Sequence, residues 1–212
     1  MDDSLEQRFG DLWRRLGLSG DPAPVFQDLA ARYSEAPRAY HNLRHIEECL
    51  ELLDAFPGPA EGSPAVEMAI WFHDAVYDPQ AKDNEERSAE LAAGCLEAAG
   101  APLELIAHVE ALIMTTKRHT PEDREDFALI SDIDLSILGR APSRFDEYEQ
   151  DIRREYAWVS DEDFVKGRGG FLGSVLAKPA IFLTEYFHEL LERPARANVA
   201  RSLEVLKKAA SA

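Results

Sequence analysis

The sequence predicts an all-α protein. Apolar residues recur at helical spacing along most of its 212 residues, and the strict alternation of a half-buried strand is almost absent. With 45% hydrophobic residues and no stretch that resembles a linker, the chain can bury one sizeable core. We therefore predict a single all-α domain over residues 1–212, built as a helical bundle.

Helix start and stop signals set the order of the predicted helices. Ser4 with Gln7, and Ser160 with Asp163, have the spacing of a capping box, and prolines open several other helices. A further helical segment follows Ser160. The remaining predicted helices cover residues 4–16, 21–35, 41–53, 64–72, 87–99, 102–114, 129–139, 142–156, 179–191 and 194–208.

The charge of the chain limits its partners. With 40 acidic against 23 basic residues the net charge is −17, and such a surface repels nucleic acids and anionic membranes. Cys49 and Cys95 lack Cys-x-x-Cys spacing, no signal sequence is evident, and no apolar run approaches the roughly 20 residues of a membrane span. We expect a soluble cytoplasmic protein that binds neither nucleic acid nor membrane. The sequence leaves its oligomeric state open.

The first candidate functional residues are His73 and Asp74, which directly follow the apolar helix predicted over residues 64–72. Burying an imidazole and a carboxylate at the end of so apolar a helix is costly unless both are bonded. A divalent cation accommodates both groups at once. The pair therefore predicts a metal site that needs further ligands.

Two other segments supply candidate ligands. His41 and His45 are one helical turn apart, so on one helix they face the same way, and Asn42 between them is predicted to be a capping group. The run 129–139 carries two aspartates, and the residues one turn away are larger and more apolar for Asp134 than for its neighbour Asp132. We therefore predict that Asp134 is the more deeply buried aspartate and the one that needs a cation.

The order His45, His73-Asp74, Asp134 resembles the HD superfamily of metal-dependent phosphohydrolases, which is named for its adjacent His-Asp pair. The stretch from Tyr40 to His45 is also similar to the opening motif of cyclic-nucleotide phosphodiesterases, where the first histidine is the general acid and the second a metal ligand. More closely, most of the chain resembles a bacterial HD family of predicted phosphohydrolases. The matching segments are residues 40–46, 72–78, 84–85, 132–139, Arg196 and Asn198.

This resemblance implies an HD-type helical bundle in which His45, His73, Asp74 and Asp134 hold a divalent cation, with Mn, Mg, Co, Ni, Zn and Fe as candidates. It implies that His41 and Asp74 are catalytic, with His41 as the general acid. The implied reaction is hydrolysis of a small phosphomonoester or phosphodiester, with nucleotides among the candidate substrates, by metal-activated water.

The likeness to the phosphodiesterases stops after the His-Asp pair. Residues 75–77 are Ala-Val-Tyr, where those enzymes have a further Asp and His, so one metal is predicted and not two. No residue resembles their purine-clamping glutamine. Cyclic nucleotides are therefore not specifically indicated.

Lys117, Arg118 and His119 form the best basic cluster near the predicted site, and we predict that they bind the substrate phosphate. Cations are also ordinary at the end of a helix, which is the structural explanation for the same residues. If the phosphate is held elsewhere, Arg168 and Lys178 are the next candidates.

Two alternative functions remain open at this point. Some HD proteins resemble di-iron oxygenases that use four histidines and two aspartates, a set that His108 and His119 would complete here together with the four predicted ligands. The other alternative is a non-catalytic module that binds a metal or a nucleotide. Metal content and colour of the purified protein discriminate the oxygenase from the hydrolase.

Overall fold

A computed structural model of the protein describes residues 3–36, 38–58, 63–119 and 124–209, and within these ranges it contains helices and no strand. The predicted all-α class is confirmed. No helix in the described ranges combines the length and the apolar character needed to cross a membrane. The helices are α1 (Asp3–Arg15), α2 (Ala23–Arg32), α3 (Leu43–Ala55), α4 (Ser63–Phe72), α5 (Asn84–Ala98), α6 (Leu103–Thr116), α7 (Glu125–Leu135), the 3-10 helix η1 (Ser136–Gly139), α8 (Pro142–Glu155), α9 (Asp161–Ala177) and α10 (Glu185–Ala209).

The chain divides into two compact units, Met1–Ile130 and Ser131–Ala212. Helix α7 begins in the first unit and ends in the second. The single domain over residues 1–212 stays a prediction.

The first unit is built around α4, the helix that leads to His73 and Asp74. Every residue from Ala65 to Phe72 is buried, because α1, α3, α5 and α6 all pack against this helix. The indole ring of Trp71 meets the rings of Phe9 and Phe26 edge to face, with centroids 5.4 and 6.0 Å away. The helix that ends at the His-Asp pair is therefore held rigidly in an apolar core.

Glu67 is the one charged residue within this buried stretch of α4. Its carboxylate is paired with Arg8 at 2.8 Å and also with Arg15, both on α1. Arg8 in turn holds Asp54 of α3 at 2.6 Å. A buried carboxylate without partners strongly destabilises a fold, so this network explains how α4 tolerates Glu67 and fixes α1 against α3 and α4.

The second unit is organised around α10, which packs against α9 and η1. At the end of η1, a Cβ added to Gly139 would lie 2.7 Å from Cβ of Leu191, so only glycine fits there. Asn198 of α10 donates from its amide nitrogen to the carbonyl oxygens of Leu138 and Arg140, both at 2.9 Å. The asparagine of the Arg-x-Asn motif therefore has a structural role, satisfying the carbonyls at the end of η1.

Helix α10 is a single helix where the sequence predicts two, over residues 179–191 and 194–208. Pro194 lies inside it, and residues 179–184 are not helical. The carboxylate of Glu192 accepts the N–H groups of Ile181 and Phe182 at 2.9 and 3.1 Å, so these donors are satisfied outside any helix. Pro194 was expected to begin a helix, yet a proline in a helix removes one backbone hydrogen bond without excluding the helix when packing holds both sides.

The two aspartates of α7 differ in burial in the opposite sense to the prediction. Asp132 is fully buried, whereas Asp134 is partly exposed. The carboxylate of Asp132 accepts the N–H groups of Leu183 and Thr184 at 2.8 and 2.7 Å, and the Thr184 hydroxyl at 2.7 Å. Burial raises the pKa of the Asp132 carboxyl, and these hydrogen bonds act in the opposite direction. The prediction was wrong because neighbours along one helix do not reveal a partner 51 residues further on.

We predict that Asp132→Ala lowers the free energy of unfolding by about 3 kcal/mol, because it leaves the part-buried N–H of Leu183 and the buried N–H of Thr184 without an acceptor. Asp146→Ala is the matched control, since its 2.6 Å pair with Arg201 is about half exposed and should contribute less than about 1 kcal/mol. Urea unfolding of both variants with a metal chelator present measures the difference. Equal losses would contradict a structural role for Asp132.

Candidate metal centre

His73 and Asp74 form a turn that follows α4. The N–H of His73 still donates to the carbonyl of Ala69 at 2.9 Å, as in a helix, but the N–H of Ala75 donates to the carbonyl of Phe72 at 2.9 Å, which tightens the chain into a turn. The His73 side chain is 3% exposed and that of Asp74 18%. The turn thus sets a buried imidazole beside a carboxylate that is accessible at one edge.

The ring of His73 is oriented by the main chain. Its Nδ1 lies 2.8 Å from the carbonyl oxygen of Ile70. A carbonyl only accepts hydrogen bonds, so Nδ1 is the donor, and the neutral ring carries its lone pair on Nε2. This Nε2 faces His45 and Asp74. Imidazole in this tautomer, with a carbonyl on its other nitrogen, is the usual form of a histidine metal ligand.

His45 comes from the first turn of α3. The predicted capping role of Asn42 is confirmed, because its side-chain oxygen accepts the N–H of Arg44 at 2.9 Å. His45 is 2% exposed, and the ring of Tyr40 packs against it with centroids 4.7 Å apart. The cap fixes where α3 begins, and the helix then directs His45 into the core.

The structure brings His45, His73 and Asp74 together. The two Nε2 atoms are 3.1 Å apart, and Oδ2 of Asp74 lies 3.2 Å from Nε2 of His73 and 3.6 Å from Nε2 of His45. In the described part of the chain, no other set of three His, Cys, Asp or Glu side chains converges so closely. Three of the four predicted ligands therefore meet at one point.

These separations fit a cation bonded to all three atoms. A triangle with these sides has its corners about 1.9 Å from its centre, slightly less than the ~2.0–2.2 Å bonds that Zn²⁺ makes to imidazole nitrogen and carboxylate oxygen. A point at bonding distance from all three atoms therefore lies about 0.6 to 1.1 Å from their plane, which leaves one side of the triangle for further ligands. The donor set also suits Fe, Co, Ni and Mn.

The carboxyl group of Asp74 is ionised. Burial raises its pKa, but His73, His41 and His45 in their protonated forms outweigh burial and hold the pKa well below its usual range. The ionised form is the one that binds a cation. The carboxylate thus adds a negative charge to a site whose other two donors are imidazoles.

His41 does not lie where the sequence predicts it. We expected it on the helix of His45, but α3 begins only after the Asn42 cap, so His41 belongs to the preceding turn. Its ring stacks on Tyr77 with centroids 4.2 Å apart and meets Tyr40 edge-on at 5.0 Å. The rings of His41 and His45 are 6.2 Å apart. His41 is therefore a neighbour of the cluster, and its role as general acid stays a prediction.

Asp134, the fourth predicted ligand, lies near the end of α7 in the unit Ser131–Ala212. The other three predicted ligands all belong to the unit Met1–Ile130. Ligation by Asp134 stays a prediction.

The three residues predicted to bind phosphate follow α6. Nζ of Lys117 lies 2.6 Å from the carboxylate of Glu86 and 2.7 Å from the carbonyl oxygen of Lys82, and the hydrogen bond to Glu86 raises the pKa of Lys117. Arg118 is exposed, and His119 has a backbone φ of 47°. A phosphate at Lys117 would compete with Glu86. Phosphate binding by the cluster stays a prediction.

His108, which the di-iron alternative requires, has a carboxylate partner of its own. Its Nε2 lies 2.8 Å from Oδ2 of Asp126, which also pairs with Arg124 at 2.8 Å. Among the described residues, neither His108 nor His119 belongs to the converging group. The geometry thus favours a smaller ligand set than the six residues of that alternative.

Sequence reasoning missed Arg38, whose guanidinium is fully buried beside the site. It donates to the carbonyl oxygens of His41 and Asp74. The sequence offers only a weak signal, an arginine three residues before His41 in a segment predicted to connect two helices.

Two side chains of α5 hold the loop after Asp74 by hydrogen bonds, a role that the sequence does not predict. Oδ1 of Asn84 accepts the N–H of Asp78 at 3.0 Å, and Oγ of Ser88 accepts the N–H of Val76 at 3.0 Å. These bonds hold the loop next to the site. They also give Asn84, one of the motif residues, a structural role.

Comparisons of the chain with models of known protein families, with curated proteins and with solved structures find no match. The HD resemblance thus rests on the motif residues and stays a prediction. The candidate metal centre rests on its own geometry.

We predict that Asp74→Ala abolishes stoichiometric binding of Zn²⁺, Mn²⁺ or Co²⁺, because it removes the only ionised donor of the triangle. Asp78→Ala is the matched control, since this exposed aspartate lies four residues later and caps the N–H of Gln80 at 2.8 Å. Calorimetric titration and elemental analysis measure the bound metal. An Asp74→Ala protein that still binds one equivalent would show that the metal is held elsewhere.

Proposed function

We propose that the protein is an HD-type metal-dependent phosphohydrolase in which His45, His73 and Asp74 hold one divalent cation. The observation that carries the proposal is the approach of two imidazole nitrogens and one carboxylate oxygen to within 3.1–3.6 Å of one another. Catalytic metal sites commonly have a few protein ligands and a position left open for water or substrate. The candidate centre fits that class.

The side chains at the site have distinct tasks in this proposal. A divalent cation in such a site supplies hydroxide at neutral pH and offsets negative charge on a phosphoryl group. The carbonyl of Ile70 holds His73 in the tautomer that presents Nε2, and Asp74 supplies the ionised oxygen. To His41, whose ring is packed between Tyr40 and Tyr77, we assign the protonation of the leaving oxygen.

The substrate in this proposal is a small phosphate ester, with nucleotides among the candidates. The net charge of −17 provides no long-range attraction for an anion, so binding depends on short-range contacts with the cation and with nearby basic side chains. Contacts within a Debye length of roughly 8–10 Å are only partly screened by physiological salt. We therefore expect the Michaelis constant to depend modestly on ionic strength.

A second candidate function is suggested by the composition of the triangle. Two histidines and one carboxylate with open positions are also the ligand set of mononuclear non-haem Fe(II) oxygenases. An oxygenase of this kind would need only His45, His73 and Asp74, and not the six ligands of the di-iron alternative. It would consume O₂ and depend specifically on iron.

The experiment that tests the proposed function is a substrate panel. The metal-free protein is reconstituted with Mn, Mg, Co, Ni, Zn or Fe and assayed for phosphate release from monoesters, diesters and nucleotides. Metal-dependent release that Asp74→Ala lacks would support the proposal. Oxygen consumption only with Fe, without phosphate release, would favour the oxygenase, and bound metal with neither activity would indicate a non-catalytic module.

We predict that His41→Ala lowers kcat by about 10²- to 10⁴-fold while bound metal stays at the wild-type level, because a general acid acts through proton transfer in the transition state. The control is His188→Ala, which removes a half-exposed histidine of the second unit. Steady-state kinetics and elemental analysis of the same preparations measure the two effects. Equal loss of metal and activity in His41→Ala would instead make His41 a ligand or a packing group.

We predict that Arg118→Ala raises KM for the phosphate ester about tenfold with little change in kcat, because it removes one charge-assisted contact. Lys117→Ala should raise KM less, since Lys117 is already paired with Glu86. Exposed Arg14, which pairs with Asp11 on α1, provides the control variant Arg14→Ala. Unchanged KM in both Lys117→Ala and Arg118→Ala would show that the phosphate is held by other residues.

A further inference from the structure

Arg38 carries a buried positive charge next to the candidate metal centre. Its side chain has no exposed surface, and three of its hydrogen bonds go to main-chain carbonyl oxygens. Nη1 donates to His41 at 3.2 Å and to Asp74 at 2.6 Å, and Nη2 donates to Ala75 at 3.0 Å. The guanidinium therefore connects the turn that carries His41 with the turn that carries Asp74.

Two tyrosine rings enclose the same guanidinium. Its central carbon lies 5.1 Å from the ring centroid of Tyr33 and 5.5 Å from that of Tyr77. Tyr33 donates its hydroxyl to the carbonyl of Trp71 at 3.0 Å, and Tyr77 stacks on the ring of His41. Arg38 thus contacts the backbone of His41 directly and its ring through Tyr77.

The charge of Arg38 is poorly compensated for a buried group. Among the residues that the structure describes, its carboxylate partner is Glu35, which approaches Nε only to 3.3 Å and whose side chain is about half exposed. A buried charge of this kind often stabilises a fold less than an apolar side chain of similar size. Packing alone is therefore a weak reason for an arginine here, whereas the flat five-donor guanidinium is well suited to bind several carbonyls in fixed directions.

We propose that Arg38 is a positioning residue of the candidate metal centre, which holds the backbone of Asp74 and of His41 so that the carboxylate meets Nε2 of His45 and His73. The role rests on the proposed metal binding. This role differs from ligation, because the charged guanidinium of Arg38 has no lone pair with which to bind a cation. Groups that orient ligands typically contribute 10- to 100-fold to metal affinity.

The test uses Co²⁺ alone as the probe, because its visible absorption reports the geometry of its ligands as well as its binding. Arg38→Met removes all the side-chain hydrogen bonds and keeps a side chain of similar volume. Arg38→Lys keeps the positive charge but donates fewer hydrogen bonds in fixed directions. The matched control is Arg8→Met, another arginine of the first unit, which binds Glu67, Asp54 and the carbonyl of Leu50. Thermal unfolding with a chelator measures how much each change destabilises the fold.

We expect Arg38→Met to weaken Co²⁺ binding by about 10- to 100-fold and to alter the absorption spectrum at saturation, with Arg38→Lys in between. Arg8→Met should lower the unfolding temperature and leave the spectrum unchanged. Wild-type affinity and spectrum in Arg38→Met would overturn the positioning role, since Arg38 would then act only in packing.

Three further outcomes are decisive. If Arg38→Met does not fold, Arg38→Lys gives the same comparison, and a wild-type spectrum and affinity in that variant would overturn the role. If the wild-type protein binds no Co²⁺ and no other divalent cation, the proposed function fails first and the role of Arg38 fails with it. Binding by the wild-type protein with no difference in either Arg38 variant leaves the proposed function standing and overturns the role of Arg38 alone.

Discussion

The candidate metal centre depends on the close approach of two imidazole nitrogens, Nε2 of His45 and Nε2 of His73, which lie 3.1 Å apart inside the protein core. Their lone pairs repel unless a proton or a cation lies between them, and the Asp74 carboxylate beside them attracts a positive charge. Helix α4 is buried on all sides and ends at this point, and α3 is capped by Asn42 so that His45 arrives opposite His73. Much of the first unit therefore serves to keep three polar atoms close together in an apolar environment.

The supports of the site come largely from the main chain. The carbonyl of Ile70 fixes the tautomer of His73, and the carbonyls of His41, Asp74 and Ala75 accept hydrogen bonds from the guanidinium of Arg38. The positions of main-chain carbonyl groups are determined by the fold and not by side-chain rotamers. Side chains that are hydrogen-bonded to them therefore have little conformational freedom. A site built in this way is organised before any ligand arrives, which lowers the entropic cost of binding.

The sequence was sufficient for most of what depends on local pattern, although it placed His41 on the helix of His45 and began a helix at Pro194. Helical periodicity predicts the class and most helices. The chemistry of the His-Asp pair, with the HD resemblance, predicts the cluster of His45, His73 and Asp74 that the structure brings together. It was insufficient where a partner lies far along the chain. Asp132 is buried because Leu183 and Thr184 provide donors, and Arg38 reaches carbonyls 36 and 37 residues away. Periodicity identifies which face of a helix is buried, but not which polar group it meets there.

The central claim is that His45, His73 and Asp74 bind one cation through the atoms that already converge. The most direct measurement is a crystal structure of the protein grown with Zn²⁺ or Mn²⁺, with anomalous scattering recorded at the absorption edge of the metal. We expect one strong anomalous peak about 2.0–2.2 Å from Nε2 of both histidines and from Oδ2 of Asp74. A protein that contains stoichiometric metal but shows its peak at other residues, or that shows no peak at saturating metal, would contradict the claim.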